Sequence, residues 1–210
     1  MNIPFYVNPD NTHCLQASLK MVIEAFYPRR IYGYRKLDMI SSKKEGLWTW
    51  PLAGLKWMFK NGFDIRVIEF FDLKAFVEEP EGYLYRHYGN EVAKAQIEHS
   101  DIASEITHAR SLCENPKIIK KIPSLHDLRN LLQDGFLLIV NVNSRALSQN
   151  SGYEGHFVVV RGFDDDFLYL NDSGRDDGEN IKVSHSTFKR AWYYPDEKAG
   201  NCYAFKKLIV

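Results

Sequence analysis

A mostly apolar segment runs from residue 14 to residue 27 and contains no glycine or proline. The spacing of its apolar residues predicts a helix, with Asn11 or Thr12 capping its start. The apolar residues cover two neighbouring sides of that helix: Leu15, Leu19, Val22 and Phe26 on one, and Cys14, Ala17, Met21 and Ala25 on the other. A helix that is apolar on more than one side is typical of the middle of a fold.

Shorter helical and strand patterns follow along the chain. Helical patterns lie at residues 52–61, 124–133 and 186–192, and strand patterns at 63–70, 117–122, 136–142, 157–163, 167–171 and 202–209. Charged and apolar residues are interleaved at helical spacing between 73 and 113, which predicts a helical insertion of two or three helices. Loops are expected at 143–155 and 173–180.

The predicted helices dominate the N-terminal half, and antiparallel strands dominate the C-terminal half. This distribution predicts an α+β fold. At 210 residues the chain is long enough for one well-filled core. A single domain spanning residues 1–210, with the insertion at about 73–113, is therefore expected.

Charge and cysteine content argue against several classes of protein. The 27 Lys and Arg residues balance the 27 Asp and Glu residues, so no overall field favours nucleic acid or an anionic membrane. No run approaches the ~20 apolar residues of a membrane span, and no export signal opens the chain. Three cysteines without metal-binding spacing are too few for a disulfide framework. Reduced thiols in a cytoplasmic protein are therefore expected.

Cys14 lies in the first turn of the predicted buried helix. The free backbone N–H groups and the positive end of the helix dipole favour thiolate over thiol at that place. A lone cysteine on an apolar helix is more often a small core residue. Its assignment as a nucleophile therefore depends on partners elsewhere in the chain.

His156 and Asp172 are the candidate partners. His156 stands between Gly155 and an apolar strand, a rigid support from which an imidazole can face a cleft. Asp172 ends the next strand of the predicted hairpin, which returns it beside the start of the first. A carboxylate there can orient the imidazole and stabilise imidazolium. Together with Cys14 they supply the nucleophile, the base and the orienting group that acyl transfer needs.

The segments that carry these residues resemble a known family. The sequences CLQASLKMV at 14–22, GHFVVVRGF at 155–163 and YLND at 169–172 are similar to those of papain-like cysteine peptidases of the bacteriocin-processing branch, family thirty-nine. The resemblance implies a papain-like fold with a helical half bearing Cys14 and a sheet half bearing the other two residues. It also implies hydrolysis of peptide bonds in a peptide or protein substrate, without a metal or organic cofactor.

Two positions depart from that family. The family has glutamine six residues before the cysteine, where its amide helps to form the oxyanion hole, and Asn8 occupies this position here. Asparagine offers the same donors on a side chain one methylene shorter, and Asn11 is a second candidate donor. Leu15 stands where glycine is common, so we expect less space beside the nucleophile.

Three functions remain open for such a site. A cysteine peptidase is the first, and an acyltransferase or amidase that uses the same triad is the second. The third is a catalytically inactive module that binds a peptide in the cleft, a hypothesis prompted by Asn8 and Leu15. Four aromatic residues are candidates for lining a cleft, although core positions are more usual for most of them: Trp48, Trp50, Trp192 and Tyr193.

Overall fold

The computed structural model describes residues 2–208 of the chain. The helices are α1 (Cys14–Phe26), α2 (Tyr34–Ser41), α3 (Leu52–Lys60), α4 (Leu73–Glu78), α5 (Pro80–His99), α6 (Ile102–Arg110), α7 (Leu125–Gln133), α8 (Ser144–Leu147) and α9 (His185–Trp192), with a 3-10 helix at Glu197–Ala199. The strands are β1 (Phe63–Glu69), β2 (Ile118–Lys120), β3 (Leu137–Asn143), β4 (Gly155–Phe163), β5 (Phe167–Asn171), β6 (Ile181–Ser184) and β7 (Asn201–Lys207). The strands form one sheet in the order β2-β1-β7-β3-β4-β5-β6. β1 and β2 are parallel, and the other neighbouring pairs are antiparallel.

The first helix, α1, packs against one face of this sheet. Residues 15–23 of α1 are buried without interruption, as its two-sided apolar pattern predicts. Leu19 and Met21 belong to the same apolar cluster as Ile139, Val159 and Phe205 of the sheet. α1 is therefore held on a rigid support, which fixes the position of its first residue.

The opposite face of the sheet is covered by α7 and α9. Phe188 and Trp192 of α9 pack with Leu138 and Val140 of β3 in a second apolar cluster. Successive side chains of a strand point to opposite faces, so both faces of β3 are buried. This explains why the segment at 136–142 is apolar throughout rather than alternating.

Helices α4 to α6 lie between β1 and β2 along the chain and form a third apolar cluster. Phe76 and Leu84 of these helices are fully buried in it, together with Leu52 at the start of α3. α5 is kinked at Gly89, which has a φ of +73°. Among residues 2–208 no helix, the 20-residue α5 included, has the length and apolar character needed to span a bilayer.

Four short elements were not predicted: α2, α8, β6 and the 3-10 helix. Helix α2 buries only Leu37, Ile40 and Ser41, so its apolar pattern is too sparse to read. The expectation of a continuous loop at 143–155 is wrong, because the Asn143 side chain caps α8 and β4 already begins at Gly155. Strand β6 also lacked a clear pattern, since it is only partly buried. The predicted strand at 202–209 is present as β7, and Ile209 lies outside the described residues.

Candidate active site

Cys14 is the first residue of α1. The side chain that binds the backbone at the start of this helix belongs to a residue farther back in the chain than expected. The N-cap position belongs to His13, whose side chain makes no capping hydrogen bond, so the prediction of a cap at Asn11 or Thr12 is wrong. Asn11 adopts a left-handed backbone conformation, with a φ of 63°, in the preceding turn. The Oδ1 atom of Asn8 accepts a hydrogen bond of 3.0 Å from the His13 N–H instead.

The structure brings the three predicted triad residues together. His156 is the second residue of β4, and Asp172 directly follows the last residue of β5. The Nε2 atom of His156 lies 2.7 Å from Oδ1 of Asp172, and both side chains are buried. Cys14 is half-buried, and its thiol lies close enough to the same imidazole for His156 to be the largest influence that lowers the pKa of Cys14. The groups therefore follow one another in the order thiol, imidazole, carboxylate.

The loop after β5 holds the carboxylate in place. Oδ1 of Asp172 also accepts a 3.0 Å hydrogen bond from the Gly174 N–H. The backbone N–H of Asp172 donates to the Gly178 carbonyl at 2.9 Å. A Cβ atom on Gly178 would come within 1.8 Å of the Asp172 carbonyl oxygen, and one on Gly174 within 3.1 Å of His156 Cε1. Glycine is thus required at position 178, where the loop passes the Asp172 backbone, whereas a side chain at position 174 would press on the imidazole.

The surroundings of Cys14 and His156 favour the ion pair of thiolate and imidazolium over the neutral thiol and imidazole. Burial disfavours the thiolate, but His156 and the backbone N–H groups of Phe157 and Leu15 outweigh it, so the pKa of Cys14 is lowered. Burial also disfavours imidazolium, but the hydrogen bond to Asp172 and the neighbouring Cys14 raise the pKa of His156 to about 10. Despite burial, the hydrogen bond with His156 lowers the pKa of Asp172. The shifts of Cys14 and His156 therefore both favour thiolate beside imidazolium over the neutral pair.

Asn8 connects the start of α1 with the loop that holds Asp172. Its N–H donates to the Ser173 carbonyl at 2.7 Å, which ties the start of α1 to the Asp172 loop. Its Oδ1 atom is occupied by the His13 N–H, which orients the amide. The Nδ2 group makes no hydrogen bond within residues 2–208 and is not sealed from solvent. Asn8 thus keeps both N–H bonds of its amide unused within residues 2–208, on a side chain that is hydrogen-bonded to the residue before Cys14.

A pocket lined by Cys14 extends across the sheet to Glu69 at the end of β1. Leu15 and Asn11 line it near the thiol, although Leu15 is only 2% exposed. Its aromatic lining residues are Trp48, Trp50, Phe71, Tyr88, Tyr153, Phe157, Trp192, Tyr194 and Tyr203. Three of the four aromatic residues expected at a cleft are among them, whereas Tyr193 packs on Trp192 outside the pocket.

Two polar groups in this pocket were not predicted. The Tyr203 hydroxyl donates to Oε2 of Glu69 at 2.9 Å, and both residues are buried. The sequence did contain a signal, because positions 63, 65 and 67 of β1 are apolar and buried, and Glu69 continues the same alternation. An acidic residue on the apolar face of a strand is unusual and points to a polar environment within the core.

Comparisons with known proteins agree with this architecture. Over 98% of the chain, the fold resembles a double glycine motif protease from an AMS/PCAT transporter in complex with the leader peptide, with a TM-score of 0.51, 15% identity and 92% of that chain covered. It also resembles the peptidase domain of Streptococcus ComA, a bi-functional ABC transporter involved in a quorum sensing pathway, with a TM-score of 0.52, 13% identity and coverage of 98% of this chain and 99% of that one. At these identities the likeness concerns the fold. A search of curated proteins gives no match.

The match to a family is more extensive than the resemblance seen in the sequence. That resemblance covered the first helix and the C-terminal sheet, whereas the model of the Peptidase_C39 like family matches residues 1–199. The predictions of family and of an α+β, papain-like fold are both confirmed. The chain therefore belongs to the Peptidase_C39 like family.

Proposed function

We propose that the protein is a cytoplasmic cysteine peptidase in which Cys14 attacks the scissile carbonyl, His156 transfers the proton and Asp172 orients the imidazole. The observation that carries the proposal is the buried pair of His156 and Asp172, 2.7 Å apart, placed where the imidazole lowers the pKa of Cys14. The cytoplasmic setting is supported by the three cysteines, which are all free thiols.

The first half of the reaction uses the ion pair. The Cys14 thiolate attacks the carbonyl carbon, a C–S bond forms, and the carbonyl oxygen becomes an oxyanion. As the first residue of α1, Cys14 has a backbone N–H without a partner inside the helix, and this N–H is one donor to that oxygen. The Nδ2 group of Asn8 is the second. The His156 imidazolium then protonates the departing amine, and the C–N bond breaks to leave a thioester.

The second half regenerates the thiol. With its proton gone, His156 is neutral and accepts a proton from a water molecule that attacks the thioester carbonyl. The same two donors hold the second oxyanion, and the C–S bond breaks to release the carboxylic acid product. Asp172 keeps the imidazole in one orientation through both halves, because its Oδ1 is fixed by Nε2 of His156 and by the Gly174 N–H.

The lowered pKa of Cys14 supports catalysis over mere peptide binding. Burial alone would raise the pKa of a thiol, as it does for the fully buried Cys202. An inactive binding module has no use for a thiolate held against that cost. The difference between the two cysteines therefore favours the peptidase over the inactive module.

The test is to incubate the protein with a mixture of unmodified synthetic peptides and to identify new termini by mass spectrometry. We expect new N- and C-termini with the wild-type protein and none with Cys14→Ala. Repeating the reaction with an added amine separates hydrolysis from acyl transfer, since a transferase would join the acyl product to the amine. Intact peptides, together with a Cys14 that alkylates like an ordinary thiol, would favour the inactive module.

The role of Asn8 gives a separate prediction. Asn8→Asp keeps an oxygen that can accept the His13 N–H but removes the Nδ2 donor, so we expect kcat to fall about 10²- to 10³-fold while KM changes little. Steady-state kinetics on a cleaved peptide measure this. Asn8→Gln restores the amide and is the matched control, expected to recover much of the rate. Equal rates for Asn8→Asp and the wild-type protein would exclude Nδ2 as an oxyanion donor.

A further inference from the structure

The pocket beside Cys14 combines aromatic walls with a buried carboxylate. Its walls are mainly aromatic, with Trp50 and Tyr88 on the helical side and Tyr153 nearer the thiol. Glu69 also lines it, and this residue is only 6% exposed. A carboxylate at the base of an apolar pocket is costly unless a positive charge or several hydrogen bonds compensate it.

Glu69 has very little compensation within the protein. Its Oε2 atom accepts one hydrogen bond, from the Tyr203 hydroxyl. Within residues 2–208, its Oε1 atom has no hydrogen-bond partner and is not sealed from solvent, so it opens into the pocket. Burial without a neighbouring cation raises the pKa of Glu69 to about 7, and the Tyr203 hydroxyl opposes this only in part.

One cation of the protein does lie at the pocket, but its charge does not act on Glu69. Lys198 lines the pocket from the 3-10 helix and is exposed at its edge. Its charge acts on His87, whose pKa is lowered to about 4 chiefly by burial, and it has no such effect on Glu69. Within residues 2–208 the carboxylate thus lacks a counter-ion in the pocket.

We propose that this pocket binds a lysine or arginine side chain of the peptide substrate, with Glu69 as the residue that determines this specificity. The inference rests on the proposed function, since it takes Cys14 as the site of attack. A cationic side chain completes the missing ion pair and stacks on aromatic faces such as those of Trp50 and Tyr88. An apolar side chain would displace water from the carboxylate without replacing its hydrogen bonds.

The reach of the pocket suits a long side chain. Sheet order places β7 and β3 between β1 and β4, so Glu69 is three strand spacings, roughly 14 Å, from the strand that carries His156. The Glu69 side chain and that of a substrate lysine or arginine extend toward each other across this distance. A residue close to the scissile bond can therefore place its cation at Glu69, whereas a short side chain does not reach this carboxylate.

The experiment uses small alkylating reagents that attach to Cys14 and do not require a known substrate. Bromoacetamides carrying a six-carbon chain that ends in either an ammonium or a methyl group are compared on the full chain, with two-carbon reagents as the short pair. Rates of Cys14 modification are read by mass spectrometry. We expect the long cationic reagent to react about tenfold faster than its neutral partner, equivalent to about 1.4 kcal/mol, and the short pair to differ much less.

Two variants separate the role of Glu69 from a general effect of charge. Glu69→Gln keeps the shape and removes the charge, so we expect the ratio of cationic to neutral rates to approach one. Glu105→Gln is the matched control, because Glu105 is also a buried carboxylate, 5% exposed, but lies outside the pocket, and it should keep the wild-type ratio. If Glu69→Gln fails to fold, the ratio of cationic to neutral rates in the wild-type protein, and its dependence on the length of the reagent, still test the inference.

A neutral reagent that reacts as fast as the cationic one in the wild-type protein would overturn the inference. So would a cation preference that survives in Glu69→Gln. Failure of the proposed function is recognised separately by iodoacetamide, which reports the reactivity of Cys14 itself. An ordinary, slow Cys14 counts against the peptidase whatever the chain-length series shows, whereas a reactive Cys14 without a Glu69-dependent preference refutes only the cationic pocket.

Discussion

Replacing Cys14 by alanine is expected to abolish peptide hydrolysis, with a loss of roughly 10⁴-fold or more in kcat. No thioester can form without the sulfur, and neither of the other thiols can replace it. Cys202 is fully buried in the cluster on the opposite face of the sheet, and Cys113 lies just after α6. The measurement is the rate of cleavage of a peptide identified with the wild-type protein, together with labelling by a thiol-reactive peptide probe.

Cys113→Ala is the matched control for that experiment. Cys113 is a half-buried thiol whose pKa is raised, mainly by burial, so it is the residual site at which a probe would react at high pH. We expect this variant to keep both hydrolysis and probe labelling near neutral pH. Equal labelling of Cys14→Ala and the wild-type protein would show that the probe reports another thiol and would refute the assignment of Cys14.

The relative positions of Cys14, His156 and Asp172 could be predicted because short-range patterns determine where these residues lie. The two-sided apolar pattern of α1 identifies a buried helix, and Cys14 is its first residue. A hairpin of two apolar strands then fixes which residues can meet, since Val159 of β4 pairs with Asn171 of β5 and Asp172 follows directly. Periodicity and antiparallel pairing are local properties of a sequence, so both can be read without coordinates.

The pocket and the helix cap could not be predicted in the same way, because they depend on distant contacts. The Asn8 side chain reaches the His13 N–H through a turn whose conformation is set by Asn11, and no periodic pattern describes such a turn. Glu69 meets Tyr203 across 134 residues of sequence. The alternation in β1 marks Glu69 as an acidic residue on an apolar face, but its position in a pocket beside Tyr203 becomes visible only when the flanking strands are known.

The structure also changes the explanation for a lowered pKa of Cys14. The sequence suggested that the N-terminus of the helix would stabilise the thiolate. In the structure burial opposes the thiolate, and His156 is the largest influence that favours it, ahead of the backbone N–H groups. The helix therefore positions the sulfur, whereas the imidazole supplies most of the charge stabilisation.

Replacing His156 by glutamine is accordingly expected to raise the pKa of Cys14 above the ordinary thiol value of about 8.5, because burial would no longer be opposed by the imidazole. In the wild-type protein, iodoacetamide should already alkylate Cys14 at lower pH, because the thiolate is formed there. The midpoint of the pH profile should move upward in His156→Gln, and peptide hydrolysis should fall about 10³- to 10⁴-fold because the leaving amine loses its proton donor.

The wild-type pH profile for hydrolysis should have a second limb of opposite sign. The pKa of His156 is raised to about 10, so imidazolium is present below that pH and is lost above it, and hydrolysis should decline as the pH rises through this range while alkylation does not. His126→Gln removes an exposed imidazole on α7 and should leave both profiles unchanged. If the alkylation midpoint stayed in place in His156→Gln, the thiolate would owe its stability to the helix N-terminus, and the ion pair with His156 would not be the source of the reactivity of Cys14.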